Sequence, residues 1–270
     1  GNPGVIDYYE KFLKTVYDAC GGALDIIGVQ HLGHVKSVDH APTHNLQDQI
    51  SHKIAVLDAL RERYPPRTRF IIAGHSIGAY IALQVLRARP AHGIAKVYAL
   101  FPTLHSIADT PNGRTLQYLM LPGIRHVSAG TVGVLSTVLP RTAFRTVVAT
   151  CTGQSESELD ITCGQLLQYP LHSPALLLGA YEMAQVKELD VETVQTHQDK
   201  LVMYYGRTDK WCPLDHHEKM KSLVPDAEIY LCDRGLQHAF VLGGSEAMGE
   251  IVSTWIKKMQ QPSPSHENVW

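Results

Sequence analysis

The sequence is poor in the features that mark several large classes of protein. Its five cysteines, Cys20, Cys151, Cys163, Cys212 and Cys232, are odd in number and show no C-x-x-C spacing. That argues against a disulfide framework or a zinc module and points to a reducing, intracellular compartment. Charge is sparse too: 19% of residues are charged and the net charge is -2, so the basic surplus that nucleic-acid binding requires is missing. Long apolar runs are lacking. The nearest approach, LQYLMLPGIRHVSAGTVGVLSTVLP at 116–140, is interrupted by Arg125, His126 and several glycines and fails as a membrane span. No internal repeat is visible. What is left, 44% hydrophobic residues in a chain of 270, fits one globular domain carrying an insertion.

Histidine is plentiful, with fifteen in the chain. His31, His34, His40 and His44 fall close together, but without a zinc-type spacing they read as loop histidines lining a cleft. No metal or organic cofactor is called for.

The order of apolar segments sets the fold class. Residues 5–19 place Ile6, Tyr9, Phe12, Leu13 and Val16 at helical spacing before Gly21-Gly22 stops the run. ALDIIGVQ at 23–30 reads as a short strand, 46–64 as a helix closed by Pro65-Pro66, RFIIA at 69–73 as a strand, 77–89 as a helix and AKVYALF at 95–101 as a strand. After a stretch with no clear strand the rhythm resumes. KLVMYYG at 200–206 and AEIYLC at 227–232 read as strands, each followed by a helix. Helices alternating with short, continuously apolar strands predict an α/β fold, a mostly parallel sheet with helices on both faces. The expected organisation is a core of 1–101 and 197–260, a helical lid or cap insertion at 102–196, and a tail at 261–270.

The chemistry centres on GHSIG at 74–78. A G-x-S-x-G pattern alone arises by chance on the order of one time in ten in a chain this long. Here it follows an apolar strand and opens an amphipathic helix, as a nucleophile elbow requires. Gly74 and Gly78, with His75 between them and the serine, leave room for the tight turn that lifts Ser76 to the sheet edge. The bland alternative is a serine in an ordinary connection. A serine hydroxyl needs a base and an orienting carboxylate, and both candidates follow in chain order. Asp209 lies three residues past Gly206, with Asp215 and Asp199 as fallbacks and a turn or helix cap as its ordinary reading. His238 lies in the loop before the last helix, with His216 and His217 as rivals and a surface histidine as its ordinary reading. Donors for an oxyanion are the backbone N–H of Ile77 and, from GNPG at 1–4, Asn2, since Pro3 has no N–H. A simple turn is the alternative for GNPG.

Together GNPG, GHSIGAY, YYGRTDKWCP and LQHAF resemble the lipid droplet-associated hydrolase family, within the α/β-hydrolase superfamily, over nearly the whole chain. The resemblance implies Ser76 as nucleophile, Asp209 as acid and His238 as base. It implies residence at lipid droplets and the endoplasmic reticulum, a neutral-lipid ester substrate such as a sterol ester or acylglycerol, and a lid touching the lipid surface. Two other readings stand beside it: a soluble carboxylesterase or thioesterase of the cytoplasm, and a droplet-surface interaction protein with little turnover. In this superfamily the strand before the oxyanion loop lies between those at 23–30 and 69–73. The sequence opens just after it, inside GNPG, so the natural chain is expected to continue upstream. Without that strand a gap in mid-sheet is expected.

Overall fold

In the computed structural model, which describes residues 1–35 and 43–260, four strands form one parallel sheet in the order β1-β2-β3-β4. They are β1 (Phe70–His75), β2 (Ile94–Leu100), β3 (Leu201–Tyr205) and β4 (Glu228–Leu231). The two inner strands are buried along nearly their whole length, β2 at every residue but Lys96 and β3 at all five. Both sheet faces are therefore covered, which is why these strands read as unbroken apolar runs rather than alternating ones.

Among the described residues eleven α-helices surround the sheet: α1 (Glu10–Ala19), α2 (Leu46–Arg63), α3 (Ile77–Ala88), α4 (Pro111–Leu116), α5 (Pro122–Val138), α6 (Arg141–Thr152), α7 (Glu156–Ile161), α8 (Tyr169–Gln185), α9 (Val191–Thr196), α10 (Leu214–Leu223) and α11 (Ser245–Gln260). α2 starts at a capping box in which Asn45 accepts from the Asp48 amide and the Asp48 carboxylate accepts from the Asn45 amide, so two otherwise unpaired donors are satisfied. α11 lies over one sheet face, where Trp255 stacks on Tyr230 at 5.4 Å and meets Tyr98 edge-on, also at 5.4 Å. α1 packs on α11 because Gly249 permits it: a Cβ there would sit 2.7 Å from the Thr15 Cβ.

The strand expected at 23–30 is not one. Leu24 and Ile26 pack partly against the core, but the segment joins no ladder. Side chains of α2 hold the backbone that follows instead. Lys53 donates to the Gln30 carbonyl at 2.7 Å, and Gln49, fully buried, bonds both the carbonyl and the amide of Leu32 at 2.9 Å. The physical reason is the lack of a neighbour. β1 is the outer strand of the sheet, and its Ala73 is exposed although it lies in mid-strand.

Between β2 and β3 the chain is helical. α5 rests on α8 through small residues one turn apart. Ala129 is buried, and Gly133 lies against Tyr169, where a Cβ would come within 3.1 Å of the tyrosine Cβ. The opposite face of α5 exposes Val127, Val134 and Val138 at 69%, 61% and 73%. Among the described residues no helix is long and apolar enough to cross a membrane.

β1 runs into α3 through the turn that carries Ser76. The Ser76 backbone has φ 55° and ψ -124°, a region costing about 1–3 kcal/mol for a residue with a side chain. The turn closes only because strand and helix approach closely at Gly74. A Cβ on Gly74 would fall 2.2 Å from the Gly78 carbonyl oxygen. Gly74→Ala is accordingly expected to destabilise the protein by at least about 3 kcal/mol. Denaturant unfolding of the variant checks this, and wild-type stability would contradict the elbow's steric basis.

Candidate active site

Three loops at one end of the sheet bring Ser76, His238 and Asp209 together. Each leaves a strand or its C-terminal edge: Ser76 directly after β1, Asp209 after β3 and Gly206, His238 after β4. His238 Nε2 lies 2.9 Å from Ser76 Oγ, and its Nδ1 lies 2.7 Å from Asp209 Oδ2. An ionised carboxylate only accepts, so Nδ1 carries the proton and donates to Asp209. That leaves Nε2 of the neutral ring as an acceptor facing the serine hydroxyl.

Asp209 is held by more than the histidine. Its Oδ1 accepts from the amides of Trp211 at 2.7 Å and Cys212 at 3.2 Å, and its Oδ2 accepts from the Cys212 thiol at 3.0 Å. Burial alone pushes this carboxyl upward. The hydrogen bond and charge of His238, with the thiol and the Trp211 amide, outweigh it and hold Asp209 below the usual carboxylate range. The thiol moves the other way: burial and the adjacent carboxylate push it well above its ordinary value, which suits a hydrogen-bond donor rather than a nucleophile. Sequence analysis gives Cys212 no role. Its position three residues after Asp209 in a tight turn is the signal available, because an aspartate accepts readily from backbone two or three residues on.

The rival residues lie elsewhere. Asp199 sits in a short turn ahead of β3, at the opposite end of that strand. Asp215 is in the first turn of α10, where the His216 ring lies tilted against His105 at 4.1 Å and His217 meets Tyr205 edge-on at 5.5 Å. Of the clustered histidines, His31 and His34 are buried and meet edge-on at 5.5 Å. His44 faces Asp48 at 4.0 Å, and His40 lies outside the described residues. Among the described residues, three candidate metal ligands converge only at Asp209, Cys212 and His238, whose atoms are already joined by the hydrogen bonds above.

The GNPG loop reaches the serine: a Cβ on Gly1 would lie 3.1 Å from the Ser76 Cβ. Ile77 is the first residue of α3 and follows Ser76 directly. Among the described residues the Ile77 and Asn2 amides have no acceptor. The Asn2 side chain donates to the Ala175 carbonyl of α8 at 2.9 Å, while its Oδ1 is buried without a partner. Beside it on α8 lies Glu182, also buried, with Oε1 unpaired. His75 is buried next to Ser76, with Nδ1 2.7 Å from the Tyr9 hydroxyl and Nε2 2.8 Å from the backbone carbonyl of His238.

This arrangement of parallel sheet, strained turn and convergent loops is that of the α/β-hydrolase fold. Solved structures agree. A serine hydrolase from Cycloclasticus zankles superposes with a TM-score of 0.62 at 13% identity. A haloalkane dehalogenase from Bradyrhizobium elkanii does so at 0.66 and 14%. In each case 96% of this chain and 88% of the other are covered. More narrowly, the chain belongs to the lipid droplet-associated hydrolase family, whose model matches residues 1–241. The mouse lipid droplet-associated hydrolase is 32% identical, with 95% of this chain and 82% of the relative covered. The Drosophila melanogaster protein of that name is 31% identical, with 96% and 87% covered.

Burial pushes the Glu182 carboxyl up to about 7, against a smaller opposing effect of the Asn2 side chain. An unfolded glutamate ionises near its ordinary value of about 4.3. Between about pH 4 and about pH 7 the folded state therefore keeps a proton that the unfolded state has released, and stability falls as pH rises through that window. Relative to wild type, Glu182→Gln is expected to gain in Tm as pH is raised from about 4 to about 7 and then to level off. Thermal melts across this range check it; a pH-independent difference would contradict the buried carboxylic acid.

Proposed function

We propose that this protein is a serine ester hydrolase acting on neutral-lipid esters, such as sterol esters or acylglycerols, at the surface of lipid droplets. The observation that carries the reading is the continuous chain from Ser76 Oγ through His238 to Asp209, on a turn whose backbone is held at positive φ. His238 takes the proton as Ser76 Oγ attacks the ester carbonyl, and Asp209 supports the imidazolium that results. The amides of Ile77 and Asn2 donate to the tetrahedral oxyanion. The protonated His238 then gives its proton to the departing alcohol, leaving an acyl-enzyme. Water, deprotonated by the same histidine, attacks the acyl carbon and releases the acid and the free serine.

The test of the chemistry is labelling with a fluorophosphonate, together with hydrolysis of a p-nitrophenyl acyl ester. Wild type labels and turns over, and Ser76→Ala falls by at least about a thousandfold in turnover while its melting curve keeps the wild-type shape. Full activity in Ser76→Ala would sink the nucleophile assignment. No turnover across a broad ester panel by folded wild type would favour an interaction protein instead.

The site on lipid is supported by the helices between β2 and β3, read here as a lid. The outward face of α5 carries Ile124, Val127, Val134, Leu135 and Val138, preceded by Leu121, all exposed. The surrounding sequence from 110 to 155 holds four arginines, Arg114, Arg125, Arg141 and Arg145, and no aspartate or glutamate. An apolar stripe in a basic setting suits a surface that is apolar beneath and anionic at its headgroups. Replacing Val134 and Val138 by Asp is expected to reduce binding to triolein droplets coated with mixed phosphatidylcholine and phosphatidylserine by about tenfold or more. Flotation measures this, with hydrolysis of a soluble ester as the control that should not change. Undiminished flotation would move the lipid contact away from α5 and support the soluble-esterase reading of the lid.

A further inference from the structure

His75 carries an imidazole that no step of the hydrolysis uses, yet both of its nitrogens are engaged. The residue is 9% exposed. Its ring meets Phe240 edge-on at 4.8 Å and lies 5.3 Å from the His238 ring. The carbonyl oxygen of His238 can only accept, so the proton between them belongs to His75 Nε2. Nδ1 of the neutral ring is then an acceptor, and the Tyr9 hydroxyl, at 2.7 Å, is its donor. Two partners on different elements thus select one tautomer. Tyr9 closes the short turn Ile6–Tyr9 that follows the Asn2 loop, and His238 sits in the irregular loop between β4 and α11.

We propose that His75 is a positioning residue which, with Tyr9 orienting it, ties the backbone of the base to the peptide that carries the nucleophile. The loop from Cys232 to Gly244 has no ladder to hold it, so the placement of His238 depends on individual bonds. Nδ1 is bonded to Asp209 and the backbone carbonyl to His75. Ser76 is the next residue after His75, and the pair is registered against β2, with His75 opposite Leu100 and the Ser76 amide donating to the Leu100 carbonyl at 3.0 Å. The 2.9 Å separation of Ser76 Oγ and His238 Nε2 is therefore set by a short closed circuit through His75, rather than by the longer path through the sheet. Keeping His75 neutral also matters, because His238 becomes cationic 5.3 Å away during turnover. Burial holds His75 well below the usual histidine range.

The inference rests on the serine-hydrolase reading, and its test separates the two. His75→Phe keeps a ring and removes the donor; His75→Gln places an amide N–H near the lost Nε2–H; Tyr9→Phe removes only the hydroxyl. Fluorophosphonate labelling rates and p-nitrophenyl ester kinetics are measured for each, with thermal melts to confirm folding. His75→Phe is expected to lose about 10- to 100-fold in labelling rate and kcat with KM within about threefold of wild type. His75→Gln should recover most of that loss, and Tyr9→Phe should fall by about three- to tenfold. Equal losses in His75→Gln and His75→Phe, or undiminished labelling of a folded His75→Phe, would overturn the proposal. Nitrogen NMR of the imidazoles in wild type gives a readout that needs no turnover: the expected result is the Nε2–H tautomer for His75, and an Nδ1–H tautomer would also overturn it. An Nε2–H tautomer in a wild-type protein that fails to label would count against the hydrolase reading and not against the arrangement of His75.

Discussion

The positive φ of Ser76 is the constraint around which the molecule is arranged. A residue with a side chain occupies that region only where its surroundings leave no alternative, and the surroundings here are specific. The Ser76 amide is bonded to the end of β2, α3 begins at the next residue, and the missing side chain of Gly74 lets helix and strand approach closely. Relaxing the turn would pull the first turn of α3 off the sheet. The stability of the core, including fully buried Ile77, Leu83 and Leu86 of α3, thereby holds the Ser76 backbone in an unfavourable conformation.

Around that turn, the side chains form two hydrogen-bonded groups of different character. Asp209 is gripped by two amides, a thiol and an imidazole, all of which favour its charged form. His75, Tyr9 and Glu182 lie on the other side of the serine in surroundings that favour neutral forms. One half of the site favours an ion, and the other favours neutral groups. Between them sits His238, bonded to Asp209 through its side chain and to His75 through its backbone. In the proposed reaction it is the one member of the three-residue chain that changes charge.

Most of the α/β frame was legible in the sequence, as were Ser76, Asp209 and His238 as leading candidates beside their rivals. Buried parallel strands are continuous apolar runs, and each catalytic candidate follows such a run by a few residues. The exception was 23–30. ALDIIGVQ has strand composition, but composition reports burial and β-branching, not the presence of a partner; without a ladder neighbour the segment is held at its end by Lys53, with Gln49 holding Leu32 just beyond it. The exposed stripe of α5 was also out of reach. The periodicity of 122–138 shows small and apolar residues on several faces, and only packing reveals that Ala129 and Gly133 face α8 while the valines face outward.

The sequence by itself determined the order of elements, the elbow and the identity of the nucleophile candidate, because these depend on residues a few positions apart and on the sterics of glycine. The tertiary structure decided which acid and which histidine meet the serine, and it alone disclosed the roles open to Cys212, Tyr9, His75 and Glu182. These side chains are ordinary in their local sequence. Their charge states and partners arise from groups up to more than a hundred residues distant, brought within hydrogen-bonding distance at the carboxyl edge of the sheet, where burial makes each bond count.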